Sequence, residues 1–142
     1  MDGPIVVGTD GSETAAIAVV EAIRLAQAFK KPLHIVTAYR PAALEVRGLP
    51  SEFGDSVRTT GVVDAILSEA AARARVASVN THTHAVEGDA ADAILAVAEE
   101  LDAAVIVIGN KGIGSVKRFV LGNVPSKVVH HSPCSTYIVH TS

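Results

Sequence analysis

Five short stretches of apolar or alternating residues recur along the chain: Ile5–Thr9, Leu33–Ala38, Thr81–Val86, Ala104–Ile108 and Thr136–His140. Runs of this length and β-branched content read as strands. The segments between them change period. Val19, Val20, Ile23 and Ala26 fall on one stripe, and Val63, Ile66, Leu67, Ala70 and Ala74 on a second. Ala91, Ile94, Leu95 and Ala98 form a third, and Val124, Val128 and Val129 a shorter fourth. Spacings of three and four give each segment one apolar face, which predicts four amphipathic helices. Strands alternating with helices imply right-handed crossovers and a parallel sheet covered on both faces, a three-layer α/β/α sandwich. One connection breaks the rhythm. From Arg40 to about Thr60, Pro41, Gly48, Pro50 and Gly54 punctuate a stretch without a period, which predicts a long functional or mobile loop.

Composition supports this class. Of 142 residues, 49% are hydrophobic but only 4% aromatic, so the core must be built from Val, Ile, Leu and Ala. Buried parallel strands have that composition. With no repeat, linker or low-complexity tract, residues 1–142 are expected to form one domain. The net charge of -3 lacks the basic field of a nucleic-acid or membrane-surface binder. Neither a long apolar span nor a basic-then-apolar leader is legible, which predicts no membrane association and a cytoplasmic location. The single cysteine, Cys134, is expected to be a buried inert thiol in a reducing compartment.

The chemistry concentrates at two strand ends. The first strand runs into Val7-Gly8-Thr9-Asp10-Gly11-Ser12, which puts Asp10 at its carboxyl end and Ser12 at the N-cap of the first helix. The fourth runs into Gly109-Asn110-Lys111-Gly112-Ile113-Gly114-Ser115, and Leu121-Gly122-Asn123 follows before the last helix. Glycines at a strand-to-helix junction let backbone N–H groups converge on an anion beside a positive helix end. A phosphate-bearing ligand is the first expectation. In open α/β sheets the ligand crevice lies outside the carboxyl ends of the strands, where strand order reverses. Two familiar phosphate loops fail on inspection. Gly109 and Gly114 have Walker A spacing, but Ser115-Val116 stands where Lys-Ser/Thr is required. The dinucleotide fingerprint fails too, because Gly112 and Gly114 are followed by Lys117 and the loop belongs to strand four.

What does fit is Gly109, two residues, Gly112, nine residues, Gly122, then a small polar residue. With the opening Ile5–Ser12, Gly88, the Asp102–Gly109 segment and the closing Cys134–Val139, this resembles the universal stress protein family over essentially the whole chain. The resemblance falls in the branch with an ATP-binding motif. It implies a five-stranded sheet of order 3-2-1-4-5 and an adenine nucleotide lying across strands one and four. Carried over by position, Gly8, Thr9 and Asp10 would stand at the base and ribose end, and backbone near Thr37 and Ala38 would meet adenine. Gly109, Asn110, Lys111, Gly112, Gly114 and Ser115 would surround ribose and phosphate. Gly122, Asn123, Val124 and Ser126 would close the phosphate end. The family usually has Ser or Thr after the last glycine; here Asn123 is expected to cap the helix and still donate to phosphate. Gly109–Gly112 with Leu121–Pro125 also resembles a subset that binds cyclic AMP. The implied ligand is therefore ATP, accompanied by Mg²⁺, or another adenine nucleotide such as cyclic AMP or AMP. A homodimer is implied too, and its physical counterpart is the bare edge of a last strand at residues 136–140.

Plainer roles compete with these. Isolated glycines merely end strands and open helices, and Asp10 could serve only the helix start. Lys111, Lys117 and Arg118 are ordinarily solvated cations. His82 and His84 share a strand face and His130 and His131 are adjacent, but no zinc-ligand spacing with Cys or carboxylates accompanies them, so structural or exposed roles are expected. His34 and His140 are strand residues with no visible partner. No catalytic residue can be assigned: a nucleophile elbow is missing and Ser12 has no assignable base, so slow ATP hydrolysis is the most that enzymatic readings permit. A binding module with a regulatory or stress-response role fits better.

Overall fold

All five apolar runs become strands of one parallel sheet. The computed structural model describes residues 2–40, 50–111 and 121–141, with backbone alone over 50–60. Its elements are β1 (Ile5–Gly8), α1 (Glu13–Phe29), β2 (Leu33–Tyr39), α2 (Pro50–Val76), β3 (Thr81–Glu87), α3 (Ala90–Glu100), β4 (Val105–Gly109), α4 (Asn123–His131) and β5 (Ser135–Val139). The strand order is β3-β2-β1-β4-β5. β1 is central and registers with both neighbours, Ile5 opposite Leu33 on β2 and opposite Val105 on β4.

The burial pattern explains this order. Ile5, Val6 and Val7 are wholly inaccessible because β1 is covered on both faces. Ile5, Val7, Leu33, Ile35, Val105 and Val107 pack with the stripes of α1 and α2, including Val19, Ile23, Leu67 and Ala74. Val6, Val36, Ile106 and Ile108 pack with Ile94, Val97 and Ala98 of α3 and Val128 of α4. β3 and β5, at the edges, alternate partly buried with exposed residues. Ser12 caps α1 as its position predicts, its Oγ accepting the Ala15 N–H at 3.1 Å.

One expectation needs correction. The part of the predicted loop from 50 to 60 is helical, because α2 starts at Pro50 and continues unbroken to Val76. Proline at a first helical position loses no hydrogen bond, so Pro50 opens this helix rather than punctuating a loop. The first turns carry only Phe53 and Val57 as large apolar residues, a pattern too sparse beside Pro50 and Gly54 for hydrophobic period to reveal a helix. The rest of the predicted loop, residues 41–49, lies outside the described residues.

The histidines are also more connected than spacing suggests. His34 on β2 stands opposite His82 on β3, and the rings stack with centroids 4.7 Å apart. Nδ1 of His34 lies 2.8 Å from Nε2 of His84, within hydrogen-bond distance. Burial, reinforced by His82 and then His84, pushes the His34 ring down from 6.5 to about 4. Burial likewise lowers His84, against an opposing pull from Glu100 at the end of α3. Between those two values the unfolded chain binds the proton that folded His34 refuses, so folding stability falls as pH drops from about 6.5 to about 4. Partial solvation of the ring limits the loss to about 1–2 kcal/mol. Urea denaturation of the wild type and His34→Gln at pH 7 and pH 4.5 should show a smaller acid loss in the variant; parallel losses would contradict this assignment. Among the described residues, no group of three or more His, Cys, Asp or Glu is arranged to hold a metal ion.

Candidate functional site

A cleft of about 620 Å³, open to solvent, lies beyond the carboxyl ends of β1 and β4, the pair between which the chain order reverses. Its floor is apolar: Val36 and Ala38 of β2, Ile108 of β4 and Ile94 of α3. Gly8 closes the floor and owes its identity to Ile94. A Cβ on Gly8 would fall on the Ile94 Cδ1, so only glycine lets that side chain lie against the end of β1.

Beyond Gly8 the chain turns sharply and is held by its own polar groups. The Thr9 N–H donates to Val36 O at 3.0 Å, and the Thr37 hydroxyl donates to Thr9 O at 3.0 Å. Gly11 takes φ +84°, a left-handed conformation, with its N–H donating to Thr9 Oγ1 at 3.1 Å. Asp10 Oδ1 accepts the Ser12 N–H at 2.9 Å. Asp10 therefore lines the cleft while its carboxylate supports the helix start. Thr37 is buried with its hydroxyl committed to Thr9, so its side chain fixes the floor without lining it.

The opposite wall is the glycine segment after β4. Gly109 and Lys111 line the cleft, and the two described ends of the segment meet where the Gly122 N–H donates to Asn110 O at 2.9 Å. A Cβ on Gly122 would stand 3.2 Å from Lys111 Cα, so the ends approach closely because that position is glycine. Gly122 is also the N-cap of α4, with no side-chain cap. Asn123 was expected to cap this helix; it is instead the first helical residue, because the extended conformation that precedes a helix falls on Gly122. The uncapped first turn presents Val124 and Pro125 to the cleft. No side chain caps the Asn123 and Val124 N–H groups of that turn among the described residues, and with Lys111 in the lining they bring positive charge to the site.

An ion network ties the two helices that wall the cleft. Asp89 caps α3, its Oδ2 accepting the Asp92 N–H at 3.1 Å, and also meets Lys127 of α4 at 3.4 Å. Lys127 reaches Asp92 at 2.9 Å, and Arg40 stands 3.9 Å from Asp89. The Asp92 N–H, then Lys127, hold the Asp89 carboxyl below its ordinary value.

Of the residues singled out by sequence, Gly8, Thr9, Asp10, Ala38, Gly109, Lys111 and Val124 line the cleft. Asn110, Gly122, Asn123 and Ser126 flank it in the chain segments that bear the lining residues. Gly112, Gly114 and Ser115, with Lys117 and Arg118, lie outside the described residues. Sequence reasoning missed Ser12, Thr14, Ala15 and Ala90 as lining residues, and also Val36, Ile94 and Ile108, whose apolar spacing reads as core and which do serve the core; Pro125, within the Leu121–Pro125 motif, lines the cleft as well. Cys134 is half-buried rather than buried, its Sγ 3.7 Å from Ser132 Oγ. His140 is exposed, and His130 Nδ1 lies 2.9 Å from Ser126 O.

Residues 1–140 match the family model described as the universal stress protein family. The chain belongs to the universal stress protein family. It is 34% identical over 141 residues to a universal stress protein of Mycobacterium tuberculosis, covering 97% of this chain and 96% of the relative. A crystal structure of a universal stress protein in complex with cAMP shares 34% identity and a TM-score of 0.76, covering 99% of this chain and 98% of that one. UspA of Lactobacillus plantarum, 23% identical over 96% of this chain and 97% of its own, superposes with a TM-score of 0.81 and establishes the shared fold. Among the described residues, no helix is long and apolar enough to cross a membrane.

Proposed function

We propose that this protein binds an adenine nucleotide in the cleft between the ends of β1 and β4 and acts as a regulatory or stress-response module. The observation that carries the reading is the cleft itself. It combines an apolar floor with Asp10 from the end of β1 and with Lys111 and a helix start without a side-chain cap from the segments after β4. A planar base suits the floor of Val36, Ala38 and Ile94; backbone at Thr37 and Ala38 supplies polar partners for its edge. Asp10 is placed to accept hydrogen bonds from ribose hydroxyls. Gly109, Lys111, Gly122 and the start of α4, with Asn123 and Ser126 nearby, suit phosphate.

Two nucleotides are favoured by different observations. The motif branch favours ATP, and Mg²⁺ would then share the charge with Asp10. The relative solved with cAMP, 34% identical over 99% of this chain, favours a cyclic nucleotide in this chain. Binding rather than turnover is the proposed activity, since no general base beside the phosphate end is among the described lining residues. The proposal extends to a cytoplasmic homodimer through the exposed edge of β5. Tyr137 there is 38% exposed, with Ile17 and Val20 of α1 also partly bare. Pairing that edge with a second copy would cover it.

Isotope-edited NMR tests the placement. Adenine protons should show nuclear Overhauser contacts to methyl groups of Val36, Ile94 and Ile108. Contacts confined to the groove between α1 and α2 would put the ligand elsewhere and overturn the reading.

A further inference from the structure

Asn110 makes four hydrogen bonds among the described residues, two through its backbone and two through its side chain. Its N–H donates to Val139 O at 2.9 Å, extending the β4–β5 ladder by one step, and its carbonyl accepts the Gly122 N–H at 2.9 Å. Its side-chain Oδ1 accepts twice from Thr141, from the backbone N–H at 2.9 Å and from the hydroxyl at 2.8 Å. The backbone donor fixes which amide atom faces Thr141: it must be the oxygen. The same oxygen then obliges the Thr141 hydroxyl to donate. Thr141 itself is buried, with 8% of its surface accessible, and its Cγ2 would stand 3.2 Å from a Cβ on Gly109.

One residue thus fastens three pieces of chain: the end of β4, the residue beyond β5, and the N-cap of α4. Its two neighbours, Gly109 and Lys111, both line the cleft. From this junction we infer that Asn110 is a positioning residue for nucleotide binding, acting through Thr141 and the backbone of the loop rather than by touching the ligand. The inference rests on the nucleotide reading of the cleft. Losing the side chain would strip a buried N–H of its acceptor, a defect that relaxes by moving the loop ends. Gly109, Lys111 and the first turn of α4 would then drift from their mutual geometry. Sites of this kind lose affinity steeply when supporting hydrogen bonds are left loose.

A double-mutant cycle in the full chain separates positioning from contact. AMP affinity is measured by calorimetry on the wild type, Asn110→Ala, Thr141→Val and the double variant, all at one temperature roughly 20 °C or more below the lowest melting temperature of the set. Positioning predicts about a tenfold loss for Asn110→Ala, a smaller loss for Thr141→Val, and a double variant no worse than Asn110→Ala. Direct contact predicts wild-type affinity for Thr141→Val, which would overturn the inference. A role confined to stability would lower the melting temperatures and leave the affinities unchanged, and would overturn it equally. Asn110→Asp keeps an acceptor for both Thr141 donors but loses the amide N–H₂. Adenosine, an uncharged probe, should bind that variant within about twofold of wild type; a loss as large as that of Asn110→Ala would contradict positioning. Hydrogen exchange at the Gly122 N–H in the ligand-free protein provides the independent arm. Exchange should accelerate about tenfold in Asn110→Ala although its backbone acceptor remains, and unchanged exchange would overturn the junction. If the wild type binds neither AMP nor adenosine, the cycle is run with whichever of ATP or cyclic AMP it does bind; if it binds none of them, the nucleotide reading fails by itself, and the exchange result alone decides whether Asn110 sets the loop.

Discussion

Gly8→Val is expected to reduce nucleotide affinity at least tenfold, about 1.4 kcal/mol, while costing a further 1–3 kcal/mol or so of folding stability. The position has no spare volume. A Cβ there would coincide with Ile94 Cδ1, lie 3.0 Å from Ile94 Cγ1 and 3.5 Å from Ile108 Cδ1. Behind these residues the second core cluster is closed, with Val6 and Ile106 wholly inaccessible. The Ile94 side chain must therefore rotate outward, and the cleft is the space that receives it. A ligand resting on that floor loses its seat even if its phosphate contacts survive. The companion variant Gly8→Val with Ile94→Ala returns the displaced volume and should recover most of the affinity. Calorimetric titration of the single and paired variants checks this. Wild-type affinity in Gly8→Val would mean that the ligand does not lie over the end of β1.

The second large effect is on the fold alone. Gly3→Ala should destabilise the protein by about 2–3 kcal/mol and lower its melting temperature by roughly 8 °C. Unlike Gly8, Gly3 faces backbone: its missing Cβ would coincide with Asp102 O and stand 2.9 Å from Ala104 N and 3.0 Å from Ala103 C. None of those atoms is free to retreat. The Ala104 N–H donates to Pro4 O at 2.9 Å and the Ala103 N–H to Ala98 O at 2.9 Å. Asp102 already holds φ 52°, in the left-handed region. Relief requires parting β1 from the entry to β4, and those two strands also carry the site at their far ends. Urea denaturation measures the cost, and a midpoint indistinguishable from wild type would show that this close approach is not part of the folded state.

The contrast between these glycines illustrates what the sequence can and cannot disclose. Strands β1 and β4 were legible because burial on both faces demands unbroken apolar runs, β2 because only His34 and Thr37 interrupt its apolar run, and α1 and α3 because burial on one face demands a stripe. The start of α2 was not legible, because Phe53 and Val57 alone are too sparse an apolar pattern over 50–60 to signal a helix, and Pro50 marks a helix opening as readily as a turn. Within the site, the glycine spacing and Asp10 were visible as local chemistry. Ile94 was not, since a residue that floors a cleft and fills a core has the same helical spacing as one that only fills a core. The stacking of His34 on His82 depends on a register between strands far apart in sequence, and no local pattern encodes it. Asn110 was visible as a loop residue, while its partner Thr141 became visible only when β5 was laid beside β4. Long-range juxtaposition, rather than local propensity, is what the fold adds.

The central claim is that the cleft above β1 and β4 holds an adenine nucleotide. Isothermal titration of the wild-type protein with cyclic AMP, AMP, ADP and ATP, the last with and without Mg²⁺, tests it most directly. Saturable binding of at least one of them, one per chain and weakened at least tenfold by Gly8→Val, is the predicted result. Absence of binding by all four at millimolar concentration, in protein shown to be folded, would contradict the account.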